Sequence, residues 1–127
     1  MQSIELKEYT LDFRSKEAYK ILRTNIEFSG NNIQIIALTS CTTGEGKSST
    51  SFELAQSFAE NGKRVLLIDA DLRKSVMKQR YKRGRVRYGL SNYLVGRANF
   101  SDALCNTNVK NLNMIFSGPV PPNPSEL

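Results

Sequence analysis

Three groups of residues have the types and spacing to do chemistry. The first is Ser40-Cys41-Thr42-Thr43-Gly44-Glu45-Gly46-Lys47-Ser48-Ser49, small residues and glycines closing on a lysine and two hydroxyls. A small-residue loop that runs into a helix points its backbone N–H groups inward, and the helix dipole favours negative charge there. Lys47 adds a positive charge, and the Ser48 hydroxyl is placed to meet a metal. The pattern G-x-x-x-x-G-K-[ST] is met except at its first position, where Cys41 stands, so this is a variant phosphate loop. Its candidate phosphate-binding residues are Thr42, Thr43, Gly44, Glu45, Gly46, Lys47, Ser48 and Ser49. The second group is Asp69-Ala70-Asp71. Elsewhere such a pair caps a turn; next to a phosphate loop, Ser48, Asp69 and Asp71 supply the oxygen donors that a magnesium–nucleotide site needs. The third group is Glu17, Lys20 and Arg23, three residues apart and therefore a charged stripe along a helix.

These residues need elements to hold them. The apolar run Ile33 to Leu38 predicts a strand buried on both faces, feeding the phosphate loop. Ser48 to Asn61 predicts a helix with Phe52, Leu54, Ala55, Phe58 and Ala59 on its packing side and Gly62 as its stop. Arg64 to Asp69 predicts a second buried strand, making a right-handed βαβ unit with parallel strands. Ligands of such sheets collect beyond the carboxyl ends of the strands, so Asp69 and Asp71 should face the phosphate loop. Upstream, residues 1–14 form an extended N-terminal arm, and a helix with Ser15 as its N-cap carries Ala18, Ile21, Leu22 and Ile26 to Gly30. Downstream come a short helix between Gly89 and Gly96 and a further turn at Phe100 to Leu104. A third strand follows at Asn113 to Ser117, then a proline-rigid tail ending in a helix start at Ser125.

Composition narrows the classes. A chain of 127 residues is at most one domain, and a hydrophobic fraction of 39% is compatible with a core. No apolar run approaches a membrane span, and the charged N-terminus lacks the apolar segment of a secretory signal. That places the protein in the cytoplasm, with Cys41 and Cys105 as thiols. With no histidine, catalysis falls to lysine, carboxylates and bound metal. The net charge of +6 is concentrated in Arg73, Lys74, Lys78, Arg80, Lys82, Arg83, Arg85 and Arg87, a stretch without an acid. It is a solvated face or a contact for anionic lipid or an acidic protein tail. Tyr81 and Tyr88 lack the spacing of a base-stacking platform, so nucleic acid is disfavoured.

Thr39 to Ser48, followed by Val65-Leu66-Leu67-Ile68-Asp69-Ala70-Asp71-Leu72-Arg73, resembles the bacterial tyrosine kinases of capsule and exopolysaccharide synthesis, cytoplasmic split type. In that family the second motif is a Walker A-prime element with two aspartates and an arginine spaced as here. Glu17 to Ile26, Gly89-Leu90-Ser91 and Gly118 to Leu127 also resemble it. The resemblance implies an α/β P-loop NTPase-like three-layer fold with a mostly parallel sheet, and ATP or ADP with Mg2+ as cofactors. It implies that Lys47, Asp69 and Asp71 are catalytic, Lys47 and the amides of Gly44 to Ser48 holding the phosphates. Ser48 would ligate magnesium, and Asp69 and Asp71 would arrange metal and incoming tyrosine hydroxyl. The family's helix motif Glu-x-x-Arg-x-x-Arg mediates ring assembly. Glu17, Lys20 and Arg23 match it, with lysine in place of the first arginine, and imply a homo-oligomer. The implied partner is the cytoplasmic tail of a membrane activator of the polysaccharide co-polymerase type, which would hold the protein at the inner face of the membrane.

The family continues past the equivalent of Leu127 with a Walker B strand and a C-terminal tyrosine cluster, and neither is found here. The expectation is a single, partial P-loop domain over residues 1–127, the first half of an autokinase and weak in catalysis alone. A second reading is a non-catalytic half-domain that binds nucleotide or a partner, its exposed sheet edge favouring association. A third is a partition or division-site ATPase. Those proteins carry a signature lysine and glycine where this chain has Thr42 and Thr43, which counts against it.

Overall fold

Helix α2, Lys47–Glu60, is the element against which the sheet packs. Phe52, Ala55 and Ala59 recur at helical spacing and are buried against Leu112, Met114 and Phe116. Gly62 ends the helix as expected: at φ +84° its N–H donates to the Ala59 carbonyl, and that of Lys63 donates to the Phe58 carbonyl. This paired closure needs a left-handed residue, which glycine adopts without strain. The structure, a computed structural model, describes residues 1–7, 11–30, 32–38, 47–72, 77 and 81–127.

The remaining elements are β1 (Gln2–Leu6), α1 (Phe13–Ser29), β2 (Val65–Ile68), β3 (Tyr81–Gly84), α3 (Leu90–Leu94), α4 (Phe100–Ala103), β4 (Cys105–Asn106) and β5 (Leu112–Ile115), with a 3-10 turn at Pro124–Glu126. The five strands form one mixed sheet in the order β2-β5-β4-β1-β3. β2 pairs β5 and β4 pairs β1 in parallel, whereas β4–β5 and β1–β3 are antiparallel. The core lies between α2 and one face of this sheet, closed by Ile4, Leu6, Met77 and Cys105.

Three expectations change. Ile33 to Leu38 is not a strand: no described residue pairs with it, and Ile35 is 91% exposed. A run buried on both faces needs a neighbour on each side, and here it has none among the described residues. The expected βαβ unit is therefore not found among the described residues, and β2 takes its parallel neighbour from β5. Second, β2 is half-buried: Val65 and Leu67 pack on the core, while Leu66 and Ile68 on the other face are 40% and 45% exposed. Third, the N-terminal arm holds a strand inside the sheet. Ile4 and Leu6 are buried, and Asn108 accepts the Leu6 N–H at 2.8 Å. The helix after it starts at Phe13, with Asp12 rather than Ser15 as N-cap; the Asp12 carboxylate accepts the Ser15 N–H at 2.7 Å. An acid three residues upstream outcompetes the hydroxyl because its carboxylate makes a charge-assisted bond.

Candidate nucleotide-binding site

The site is built by the return of β2 along α2. Fourteen helical residues span about 21 Å, and the four-residue turn Asn61 to Arg64 reverses the chain at the helix's carboxyl end. From Val65 to Asp69 the chain then climbs about 13 Å back toward the amino end. Lys47 and Ser48 open α2, so the phosphate-loop sequence enters at the end to which Asp69 and Asp71 return. Asp69 is buried, 7% exposed, and its backbone N–H donates to the Ile115 carbonyl at 2.9 Å. Its carboxylate accepts the Asp71 N–H at 3.1 Å, which folds the two acids into one tight turn.

Thr42, Thr43, Gly44, Glu45 and Gly46 lie outside the described residues, as do the side chains of Lys47 and Ser48. Ser49 is exposed in the first turn of α2. Arg73, Lys74, Lys78 and Arg80 also lie outside them, whereas Arg83, Arg85 and Arg87 are exposed on and after the edge strand β3. Among the described residues no three His, Cys, Asp or Glu gather into a metal cage. Magnesium binds through one or two carboxylates and completes its octahedron with phosphate oxygens and water. Asp69, Asp71 and a serine hydroxyl at the amino end of α2 fit that requirement as a donor set.

The charged stripe divides. Lys20 and Glu17 pair within α1 at 3.3 Å, both about half exposed. Arg23 turns inward and donates to both the carbonyl and the hydroxyl of Ser57 at 3.2 Å, holding α1 on α2. Glu27 assists, 3.7 Å from the Arg23 guanidinium and accepting from Asn61 at 3.4 Å.

Sequence reasoning missed two positioning groups. Gln2 accepts the N–H groups of Arg87 and Tyr88 and donates to the Tyr88 carbonyl at 3.1 Å, fastening the end of the basic stretch to β1. Gly89 lies against Gly118, where a Cβ would sit 2.4 Å from the Gly118 nitrogen. Leu90 and Ser91 then donate to the carbonyls of Phe116 and Ser117, and the Ser91 hydroxyl donates to that of Pro119 at 2.7 Å. The glycines at the helix start and after β5 were visible as a signal; a glutamine clamp has none.

Residues 33–119 match the family model described as AAA domain, which implies nucleotide binding. The tyrosine-protein kinase CpsD of Streptococcus agalactiae is 49% identical over 114 residues, covering 90% of this chain and 50% of the relative. The BceF tyrosine kinase domain superposes with a TM-score of 0.76 at 41% identity, covering 88% of this chain and 45% of that one. The kinase domain of the Escherichia coli tyrosine kinase ETK gives 0.78 at 27%, covering 98% and 57%. The chain thus spans about half the length of the relatives it matches. No helix among the described residues is long and apolar enough to cross a membrane. The chain belongs to the AAA domain family, and it is similar to one half of the bacterial tyrosine kinases named above.

Proposed function

We propose that this chain carries the nucleotide-binding half of an ATP-dependent protein-tyrosine autokinase that regulates capsular or exopolysaccharide synthesis. The observation that carries the reading is the return of β2, which sets the Asp69–Asp71 turn at the end of α2 into which the phosphate-loop sequence runs. In this reading the amides of Thr42 to Ser49 and the Lys47 ammonium hold the phosphates of ATP or ADP. Ser48, Asp69 and Asp71 hold Mg2+, which when bound neutralises charge on the phosphates. Asp69 and Asp71 also orient the incoming tyrosine hydroxyl. Phosphoryl transfer asks chiefly for positioning and charge neutralisation, so lysine and carboxylates suffice without histidine.

Glu17 and Lys20, exposed on α1, meet a second copy, while Arg23 fixes the helix that presents them. The cytoplasmic tail of a membrane activator of the co-polymerase type recruits the protein from the cytoplasm to the inner face of the membrane. The test is calorimetric titration with ATP and ADP, with and without magnesium. Lys47→Ala should weaken binding roughly 10- to 100-fold, the loss of one charge-assisted contact. Asp71→Asn should remove the magnesium dependence. A folded chain that binds neither nucleotide, or binds equally well after Lys47→Ala, overturns the reading.

A further inference from the structure

Arg83, Arg85 and Arg87 form an ordered row. Ile4 and Leu6 of β1 face the core, so Glu5 between them faces outward, and Arg83 stands opposite Glu5 in the β1–β3 ladder. Val86 packs on the core, and Arg85 and Arg87 on either side of it are exposed. The three side chains therefore leave the same face of the sheet, about 6.6 Å apart along an extended chain. Two contacts fix the backbone that carries them. Gly84, at φ +102°, lies so close to β1 that a Cβ would sit 2.5 Å from the Ser3 carbonyl oxygen. Beyond it, the Gln2 side chain accepts the Arg87 N–H, and the Tyr88 N–H at 3.0 Å. Glu5 lies 3.9 Å from Arg83; among the described residues no carboxylate pairs with Arg85 or Arg87.

Arginines on a held backbone suit phosphate, because each planar guanidinium can donate two N–H groups to one phosphate group. The surroundings select among the polyanions that carry phosphate or carboxylate. Tyr81 is turned into the molecule, its ring 5.2 Å from Phe116 and edge-on to it. That leaves Tyr88 beside the row, whereas single-stranded nucleic acid needs successive rings for its bases. Two clefts, of about 380 and 580 Å³, lie against α2, and neither includes an arginine of the row. An acidic peptide would need such pockets to seat its side chains. A fluid bilayer needs none, since its headgroups rearrange beneath fixed charges, and a tyrosine such as Tyr88, 37% exposed, suits the headgroup level.

We propose that the face bearing Arg83, Arg85 and Arg87 docks on the anionic headgroups of a lipid bilayer. The contact is separate from recruitment by an activator tail and does not require phosphoryl transfer. Each basic residue close to an anionic surface raises affinity roughly fivefold, so the row supplies on the order of 100-fold. A contact of that strength is reversible: it orients the chain against the membrane and does not anchor it.

The test is co-sedimentation of this chain, without nucleotide, with vesicles of phosphatidylcholine containing about one-third phosphatidylglycerol. At about 0.1 M salt the chain should bind these vesicles and not pure phosphatidylcholine, and about 0.5 M salt should release it. Replacing all three arginines (Arg83→Gln, Arg85→Gln and Arg87→Gln) should weaken binding about 100-fold. The charge-matched control is Lys63→Gln, Arg97→Gln and Lys110→Gln, three exposed cations in loops between other elements, and should weaken it far less. If the arginine variant does not fold, Arg85→Gln and Arg87→Gln serve singly, each with a loss of about fivefold. Equal binding to both kinds of vesicle overturns the proposal, as does binding that survives loss of the arginines. An equal loss in the control also overturns it, since net charge and not the row would then be read. So does release of the chain from the vesicles by an oligonucleotide or an oligoglutamate at equal charge concentration, which would make another polyanion the partner. Nucleotide is absent throughout, so failure here is separable from failure of the kinase reading.

Discussion

Gly89 and Gly96 flank the same short helix and are glycine for different reasons. Gly89 has an ordinary backbone, but a methyl group there would meet the Gly118 backbone at 2.4 Å and the Phe116 carbonyl oxygen at 2.7 Å. Backbone cannot yield as a side chain can, so Gly89→Ala should cost about 3 kcal/mol. Gly96 faces open space at φ +79°, and Gly96→Ala should cost only about 1 kcal/mol of backbone strain. Parallel urea unfolding of the two variants measures the difference. Asp12 gives a pH-dependent counterpart. The Ser15 N–H bonded to it holds its carboxyl below the ordinary carboxylate range. Its contribution to helix α1 is complete above the unfolded carboxylate value of about 3.9. It is lost as pH falls through the lower folded value. Protection of the Ser15 amide, its exchange rate relative to the intrinsic rate at the same pH, should therefore fall on acidification. In Asp12→Asn, which keeps a capping oxygen without a titrating one, that protection should stay constant over the same range.

Among the elements, α1 is held by polar bonds and not by a core. None of its residues is buried, and Phe13, Ile21 and Phe28 are exposed. Arg23→Ala should remove about 2 kcal/mol and lower amide protection throughout α1, leaving α2 and the sheet protected; hydrogen exchange reads both at once. Arg23→Lys should rescue only in part, because an ammonium keeps one charged donor group but loses the second guanidinium nitrogen, Nε, that lies 3.7 Å from Glu27. The inward turn of Arg23 was not legible in the sequence, where it looks equivalent to Lys20. What was legible is local: α2 from its 3.6-residue period and Gly62, α3 from its flanking glycines, β5 from Met114 to Phe116. β1 was missed because only Ile4 and Leu6 mark it, and its partners lie about a hundred residues away. Ile33 to Leu38 misled for the opposite reason: an apolar run states the environment it needs, not whether a neighbour is present to provide it.

At the scale of the molecule, positive charge gathers at one edge of the sheet. Arg83, Arg85 and Arg87 are exposed on and beyond β3, within a net charge of +6, and Glu5 lies 3.9 Å from Arg83. Such crowding protects the edge from pairing with another sheet. Its like-charge repulsion should be relieved by salt. Raising ionic strength from low to about 0.5 M should stabilise the chain by roughly 1 kcal/mol, or a few degrees in Tm, measurable by thermal scans. The position of β1 has a consequence in time. Ile4 pairs opposite Gly84, and Gln2 opposite Cys105, so β1 leaves the ribosome well before the two strands that flank it. At the usual speed of translation, about 5–20 residues per second, Ile4 and Leu6 wait roughly 5 to 20 seconds for their neighbours. This part of the sheet cannot close as soon as β1 is made. The nascent strand is thus a segment for a chaperone to cover while synthesis proceeds.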